Sequence, residues 1–307
     1  MSSNGINNAS DALAAYTKSC HAVSGDKANP RAKYVLDTLM KYLHLFAKEV
    51  DLTIEEWLAA CDVMVKSGKM SDERRNEMIL ISDVLGLESL LDTMAHERAE
   101  KLAKAHGDAA AASTDTAILG PFYRENAPKY KNGGDIVLDH NIKDNEGSSG
   151  RTCYLYGKVT DIHGKAVQDA EIDVWHTAAN GYYEQQDPKQ PEYNNRGLFS
   201  SDTDGKYSIR CLVPTPYPIP FDSGAGDILK LLDRSPMRPA HIHFLIKAKG
   251  YKTLVTQIFD RNCKYINSDA VFATKDNLVV DFVAAKNPEF KTDTELEYNL
   301  VLVPESE

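Results

Sequence analysis

The sequence predicts an α+β chain in two parts, a helical N-terminal domain with its linker over residues 1–117 and an antiparallel β-sandwich over 118–307. Three observations predict it. Apolar residues from Pro30 to about Lys104 recur every three or four positions, the period changes near residue 117, and from Thr152 onward short β-branched and aromatic runs alternate with turn signals. A chain of 307 residues, 42% of them hydrophobic, can bury a sizeable core and suits ~2 domains of ~150 residues each.

In the first part, Leu36, Leu39, Leu43, Phe46 and Val50 fall on one helical stripe. Thr53 followed by Glu56 forms a capping box, and Gly68 marks the end of that helix. Ser71 with Asp72 and Glu73 predicts the start of the next, a cap hydroxyl before two carboxylates at the positive end of the helix dipole. Four or five helices are expected. Residues 105–117, small and polar with an alanine cluster at 109–112, predict a linker. In the second part the candidate strands are 152–160, 170–176, 206–213, 240–247, 252–259, 278–284 and 296–303. Turns are expected at Asp161 to Gly164, Asn180-Gly181, Asp204-Gly205 and Lys249-Gly250.

Composition excludes several functions. With 35 Lys+Arg against 45 Asp+Glu the net charge is -10, which opposes the phosphate attraction of nucleic-acid binders. The N-terminus lacks a basic start and an apolar run, and no segment approaches the ~18 apolar residues of a membrane span, so a cytoplasmic location is expected. The five cysteines, Cys20, Cys61, Cys153, Cys211 and Cys263, are odd in number and never spaced C-x-x-C, which argues for reduced thiols.

The most informative segment is Arg238-Pro239-Ala240-His241-Ile242-His243-Phe244. On a strand His241 and His243 share one face, about 7 Å apart, and could grip one metal ion. The same H-x-H also suits two hydrogen-bonded strand histidines. No histidine follows His243, and His140, His163 and His176 fall in a loop, a turn and a strand end, where surface or backbone-bonded roles suffice. The region is instead rich in tyrosine: Tyr182, Tyr183, Tyr193, Tyr207 and Tyr217. A phenol with a pKa near ~10 binds as phenolate at neutral pH only to a strongly acidic, hard cation. Ferric iron meets that condition. Two phenolates and a hydroxide would cancel its charge while neutral imidazoles add none. Aromatic core packing is the other role open to these tyrosines.

Four segments together resemble the ordered signature of the intradiol ring-cleavage dioxygenases: GPFYRENAP at 120–128, DVWHTAANGYY at 173–183, TDGKYSIRCLVPTPYPIP at 203–220 and RPAHIHF at 238–244. The resemblance spans both halves of the chain. It implies one ferric ion per chain, held by Tyr183, Tyr217, His241 and His243. Tyr183 stands eight residues after Trp175 and Tyr217 twenty-four before His241, as the family's ligands do. It implies catalytic roles for Tyr217, Arg238 and Gln257, an aromatic diol or triol and dioxygen as substrates, and cleavage between the two hydroxylated carbons. It also implies a homodimer through the N-terminal helices, with a lipid at that interface in some members.

The pocket positions implied are Leu80, Asp83, Ile118, Pro121, Phe122, Ile219, Pro220, Arg238 and Val271. They are similar to the hydroxyquinol branch of the family rather than its catechol branch. Asp83 stands where the catechol branch has an apolar or small residue, Ile219-Pro220 replaces Gly-Cys, Val271 replaces alanine, and DPKQPE at 187–192 follows the same pattern. A carboxylate there could accept a hydrogen bond from a third ring hydroxyl. A cap or a solvent-facing acid is the plainer role for Asp83, and a β-sandwich that binds without catalysing is the expectation from a different class.

Overall fold

The computed structural model describes residues 3–72, 75–105 and 113–305. Five helices come first: α1 (Ser3–Ala22), α2 (Pro30–Glu49), α3 (Ile54–Met70), α4 (Glu77–Val84) and α5 (Leu87–Ala105). Asn29 caps α2 by accepting from the Ala32 N–H at 3.0 Å, with Pro30 at the first helical position, where a missing N–H costs nothing. The capping box of α3 forms in both directions, Thr53 Oγ1 accepting from Glu56 N (3.2 Å) and Glu56 Oε2 from Thr53 N (2.9 Å). The helix expected to start at Ser71 begins instead at Glu77, capped by Asn76. Ser71 is engaged elsewhere: its hydroxyl donates to Ser67 O and accepts from Glu77 N, while Asp72 closes a turn with Arg75. Glu73 and the alanine cluster lie outside the described residues. No described helix is long and apolar enough to cross a membrane.

The chain divides into two compact units, residues 1–63 and 64–307, with the division inside α3. Hydrophobic period changes at residue 117, whereas compactness puts α4 and α5 with the strands.

The strands and one further helix are β1 (Gly134–Asp135), β2 (Thr152–Asp161), β3 (Glu171–Trp175), β4 (Arg196–Ser200), β5 (Lys206–Leu212), β6 (Tyr217–Pro218), α6 (Gly224–Leu231), β7 (Met237–Arg238), β8 (His241–Lys247), β9 (Leu254–Asp260), β10 (Val279–Val280), β11 (Val283–Ala284), β12 (Thr294–Glu297) and β13 (Leu300–Leu302). One sheet runs β1-β5-β2-β12-β11 with β13 also on β2, the other β10-β9-β8-β3-β4, and β6 pairs β7. The central pairs are antiparallel, but β1 on β5, β12 and β13 on β2, and β10 on β9 are parallel, so the sandwich is mixed. The expected strands 278–284 and 296–303 each split in two. Gly157 permits the second split, because a Cβ there would collide with the Tyr298 carbonyl where β12 gives way to β13.

The core lies between the two larger sheets. Cys153, Leu155 and Val159 of β2 meet Ile172 and Val174 of β3 and Ile242, Phe244 and Ile246 of β8. On β2 the burial alternates as period 2 demands, but six consecutive residues of β8 are buried. The face of β8 opposite the core is therefore covered as well, and that face carries His241 and His243.

Candidate active site

Register assembles the site. On β8, His243 stands opposite Gln257 of β9 and Trp175 of β3, and His241 opposite Phe259, while Tyr217 of β6 faces Arg238 of β7. The two imidazoles turn toward one point, Nε2 to Nε2 at 3.1 Å. His241 Nδ1 lies 2.6 Å from the Pro239 carbonyl, which only a protonated Nδ1 can satisfy, so Nε2 keeps its lone pair. Trp175 stacks on the His243 ring at 4.7 Å and 7°. Gly120, at φ +75°, lets the backbone pass where a Cβ would come within 3.2 Å of His243 Cε1. Burial, and then neighbouring positive charge, hold both imidazoles well below their usual pKa, in the neutral form that binds metals.

Tyr217 and Tyr183 complete the cluster. Their rings stand edge to face at 5.3 Å, with Tyr217 5.5 Å from His241 and Tyr183 6.3 Å from His243. Tyr183 comes from the loop after β3, which a buried ion pair secures: Arg196 Nε donates to Glu184 at 2.8 Å, both side chains 2% exposed. Arg124 adds a second cation to Glu184, Gln186 Oε1 accepts from Tyr183 N, and Phe122 stacks on the ring at 4.7 Å. Tyr182 next to it is 46% exposed. Burial, then Tyr217, push the Tyr183 phenol well above its usual range, and its buried oxygen has no hydrogen-bond partner. A phenolate there needs an adjacent cation. His176 bonds Thr177 O at 2.7 Å, and burial lowers it to about 4, so it stays neutral, in the backbone-bonded role expected.

Arg238 is the hub. Its Nη2 donates to Gln257 Oε1 (2.8 Å), its Nη1 lies 3.1 Å from His241 Nε2, and its Nε and Nη2 reach Asp269 at 3.2 and 3.3 Å. Burial opposes its charge, but Asp269 and the tyrosines raise its pKa further. Gln257 in turn donates to Ile118 O at 2.7 Å. Among the described residues no group of three or more His, Cys, Asp or Glu could hold a metal. What converges is two neutral imidazoles and two phenols, one with an orphaned buried oxygen. That donor set fits a hard, strongly acidic cation such as ferric iron.

The expected pocket residues fall into two clusters. Leu80, Ile118, Ile219 and Val271 pack with Val84 and Phe259, the ring beside His241. Phe122 packs with Trp175, Tyr183 and Tyr217. Pro121 and Pro220 are half-buried and belong to neither. Asp83 is 1% exposed at the end of α4 and neither caps a helix nor faces water. Sequence reasoning missed Asp269 and the Glu184–Arg196 pair, which no motif or spacing marks.

Residues 119–304 match the family model described as Dioxygenase and 29–103 the one described as Catechol dioxygenase N terminus. Catechol 1,2-dioxygenase of Candida albicans is 42% identical over 300 residues, 95% of this chain and 93% of that protein. The 6-chlorohydroxyquinol 1,2-dioxygenase of Cupriavidus pinatubonensis is 37% identical over 93% of this chain and 97% of its own. Among solved structures, hydroxyquinol 1,2-dioxygenase of Pseudomonas putida aligns with a TM-score of 0.80 at 34% identity, over 96% of this chain and all of that one. The chain belongs to the intradiol ring-cleavage dioxygenases, enzymes that use non-haem iron.

Proposed function

We propose that this enzyme cleaves hydroxyquinol (1,2,4-trihydroxybenzene) with dioxygen between the adjacent hydroxylated carbons. The product is 3-hydroxy-cis,cis-muconate, whose keto form is maleylacetate, a step in aromatic catabolism. The observation that carries the substrate choice is Asp83, a buried carboxyl on the helix whose Leu80 and Val84 pack with Ile118, Ile219 and Val271. A polar group in such a place suits a third ring oxygen and is left unpaired by catechol, at a cost of roughly 1–3 kcal/mol.

In this reading Tyr183, Tyr217, His241 and His243 hold one ferric ion per chain. When bound, that ion supplies Lewis-acid polarisation of the two substrate oxygens and makes the ring reactive toward dioxygen. In the same reading Tyr217 takes a hydroxyl proton from the substrate. Arg238, locked by Asp269 and Gln257, presents a permanent cation to negative charge on the ring. Trp175 and Gly120 keep His243 oriented.

Catechol is the second reading, favoured by the 42% identity to the Candida enzyme. Oxygen uptake with each substrate, with product identification, decides between them. We expect kcat/KM for hydroxyquinol to exceed that for catechol by roughly 5–150-fold, and Asp83→Ala to narrow the ratio. A wild-type preference for catechol overturns the hydroxyquinol reading.

The same proposal includes a cytoplasmic homodimer formed through the N-terminal helices. α2 buries none of its residues, and Leu36, Leu39, Leu43 and Phe46 remain about half exposed, an apolar stripe for a second copy to cover. A lipid acyl chain suits the same surface. Sedimentation at micromolar concentration should give the dimer mass, and a strict monomer contradicts it.

A further inference from the structure

Arg234 stands between α6 and β7, and its guanidinium joins two segments far apart in the chain. Nη1 donates to Val84 O at 2.7 Å and Nη2 to Ala270 O at 2.8 Å. The first carbonyl needs such a donor. Val84 closes α4, and Gly86, at φ +76°, turns the chain away before the helix can supply another N–H. The backbone N–H of Arg234 donates in turn to Leu229 O at 2.9 Å. Val84, Ala270 and Leu229 all belong to the apolar cluster of Leu80, Ile118, Ile219 and Val271. One residue thus ties α4, α6 and the loop 269–273 together through their main chains.

That loop is anchored at almost every position. Asp269 pairs with Arg238 and accepts from Val271 N and Ala273 N at 3.2 and 3.1 Å. Ala270 N donates to Met237 O at 3.2 Å, and Ser89 of α5 donates to Val271 O at 2.8 Å. Phe272 takes up the curvature. It lies at φ +58°, where a bulky side chain is an outlier. Its ring rests against Gly86, where a Cβ would come within 3.2 Å, and 4.6 Å from the Arg234 guanidinium. Such a backbone conformation persists only where its surroundings over-determine it, and here the tethers on both sides of Phe272 do so.

We propose that Arg234 is a positioning residue for the substrate: by holding the end of α4 to the loop 269–273, it fixes how Leu80 and Val271 sit against each other and hence the room beside the ring. The proposal rests on the reading of this cluster as a wall of the substrate pocket, and not on hydroxyquinol as the substrate. Lysine cannot take over the role, since it offers one nitrogen where the planar fork offers two, and no plane to lay against Phe272.

The test uses iron-loaded wild-type, Arg234→Ala, Arg234→Lys and Ile219→Ala proteins, assayed by oxygen uptake with catechol and with 4-methylcatechol, which differ by one methyl group. Arg234→Ala should raise KM for catechol about tenfold, roughly the worth of one charge-assisted hydrogen bond. Its kcat should stay within about threefold, because Asp269 keeps Arg238, Val271 N and Ala273 N. The ratio of kcat/KM, catechol over 4-methylcatechol, should fall by roughly three- to tenfold as the wall loosens, and Arg234→Lys should move both quantities the same way, less far. Iron content and the phenolate-to-ferric absorption of the resting variants should match the wild type. A lowered melting temperature with KM and the ratio unmoved overturns the proposal, since Arg234 would then serve the fold alone. A fall in kcat with KM unchanged overturns it too. If Arg234→Ala does not accumulate, Arg234→Lys decides by the same two readouts. An unmoved ratio in Ile219→Ala removes the wall and the proposal with it, whereas a ratio moved by Ile219→Ala but by neither Arg234 variant sinks the positioning role alone.

Discussion

His243→Ala is expected to leave a folded, colourless protein without iron and without measurable oxygen uptake. The ring is one of the four proposed donors and meets His241 Nε2 at 3.1 Å. Substitutions of partners that only orient a metal ligand already cost about 10–100-fold in affinity or activity, and loss of the ligand itself costs more. The fold should survive, since Ile242 and Phe244 on the other face of β8 keep the sandwich core intact. What the fold loses is the stacking with Trp175, worth about 0.5–1.5 kcal/mol. Elemental analysis, the visible phenolate-to-ferric absorption and urea denaturation separate the two effects. Full iron content with an unchanged spectrum would remove His243 from the proposed ligand set.

Arg238→Leu should act on stability and reaction together. The substitution strands Asp269, 3% exposed at its side chain, without its cation, at a cost on the order of 3–5 kcal/mol. Val271 N and Ala273 N still donate to that carboxylate and limit the damage. Gln257 loses the donor to its Oε1 but keeps Ile118. With no cation beside the ring, kcat/KM should drop by roughly 10²–10³-fold, measured at a temperature where denaturation shows the variant folded. Iron should remain bound, because all four proposed ligands are untouched. A variant with near-normal kcat/KM would show that Arg238 serves the fold alone.

These two substitutions mark what was legible in the sequence. His241, His243 and Arg238 sit in one short strand-like run, and period 2 alone placed both histidines on a common face. The antiparallel runs 152–160, 206–213 and 240–247 were readable for the same reason, and their observed bounds differ by a residue or so. The strand Arg196–Ser200 was not, because it lacks alternation: Arg196 and Gly197 are both buried, the first by its pairing with Glu184. Helix α6 was hidden by the two glycines in its first turn, and its start depends on Ser223 as cap.

The sequence by itself determined the helical and β-rich halves, the capping box at Thr53, the turns and the pair of imidazoles, because each is set by neighbours a few residues apart. The convergence of Tyr183 and Tyr217 on that pair was available only through the resemblance. Only the tertiary structure decided that Asp83 is buried, what engages Arg238 and which tautomer His241 adopts. These depend on groups from separate elements, Asp269 from a loop, Gln257 across a register and the Pro239 carbonyl before β8, meeting where water is excluded. Burial gives such encounters their strength, and burial is a property of the assembled fold.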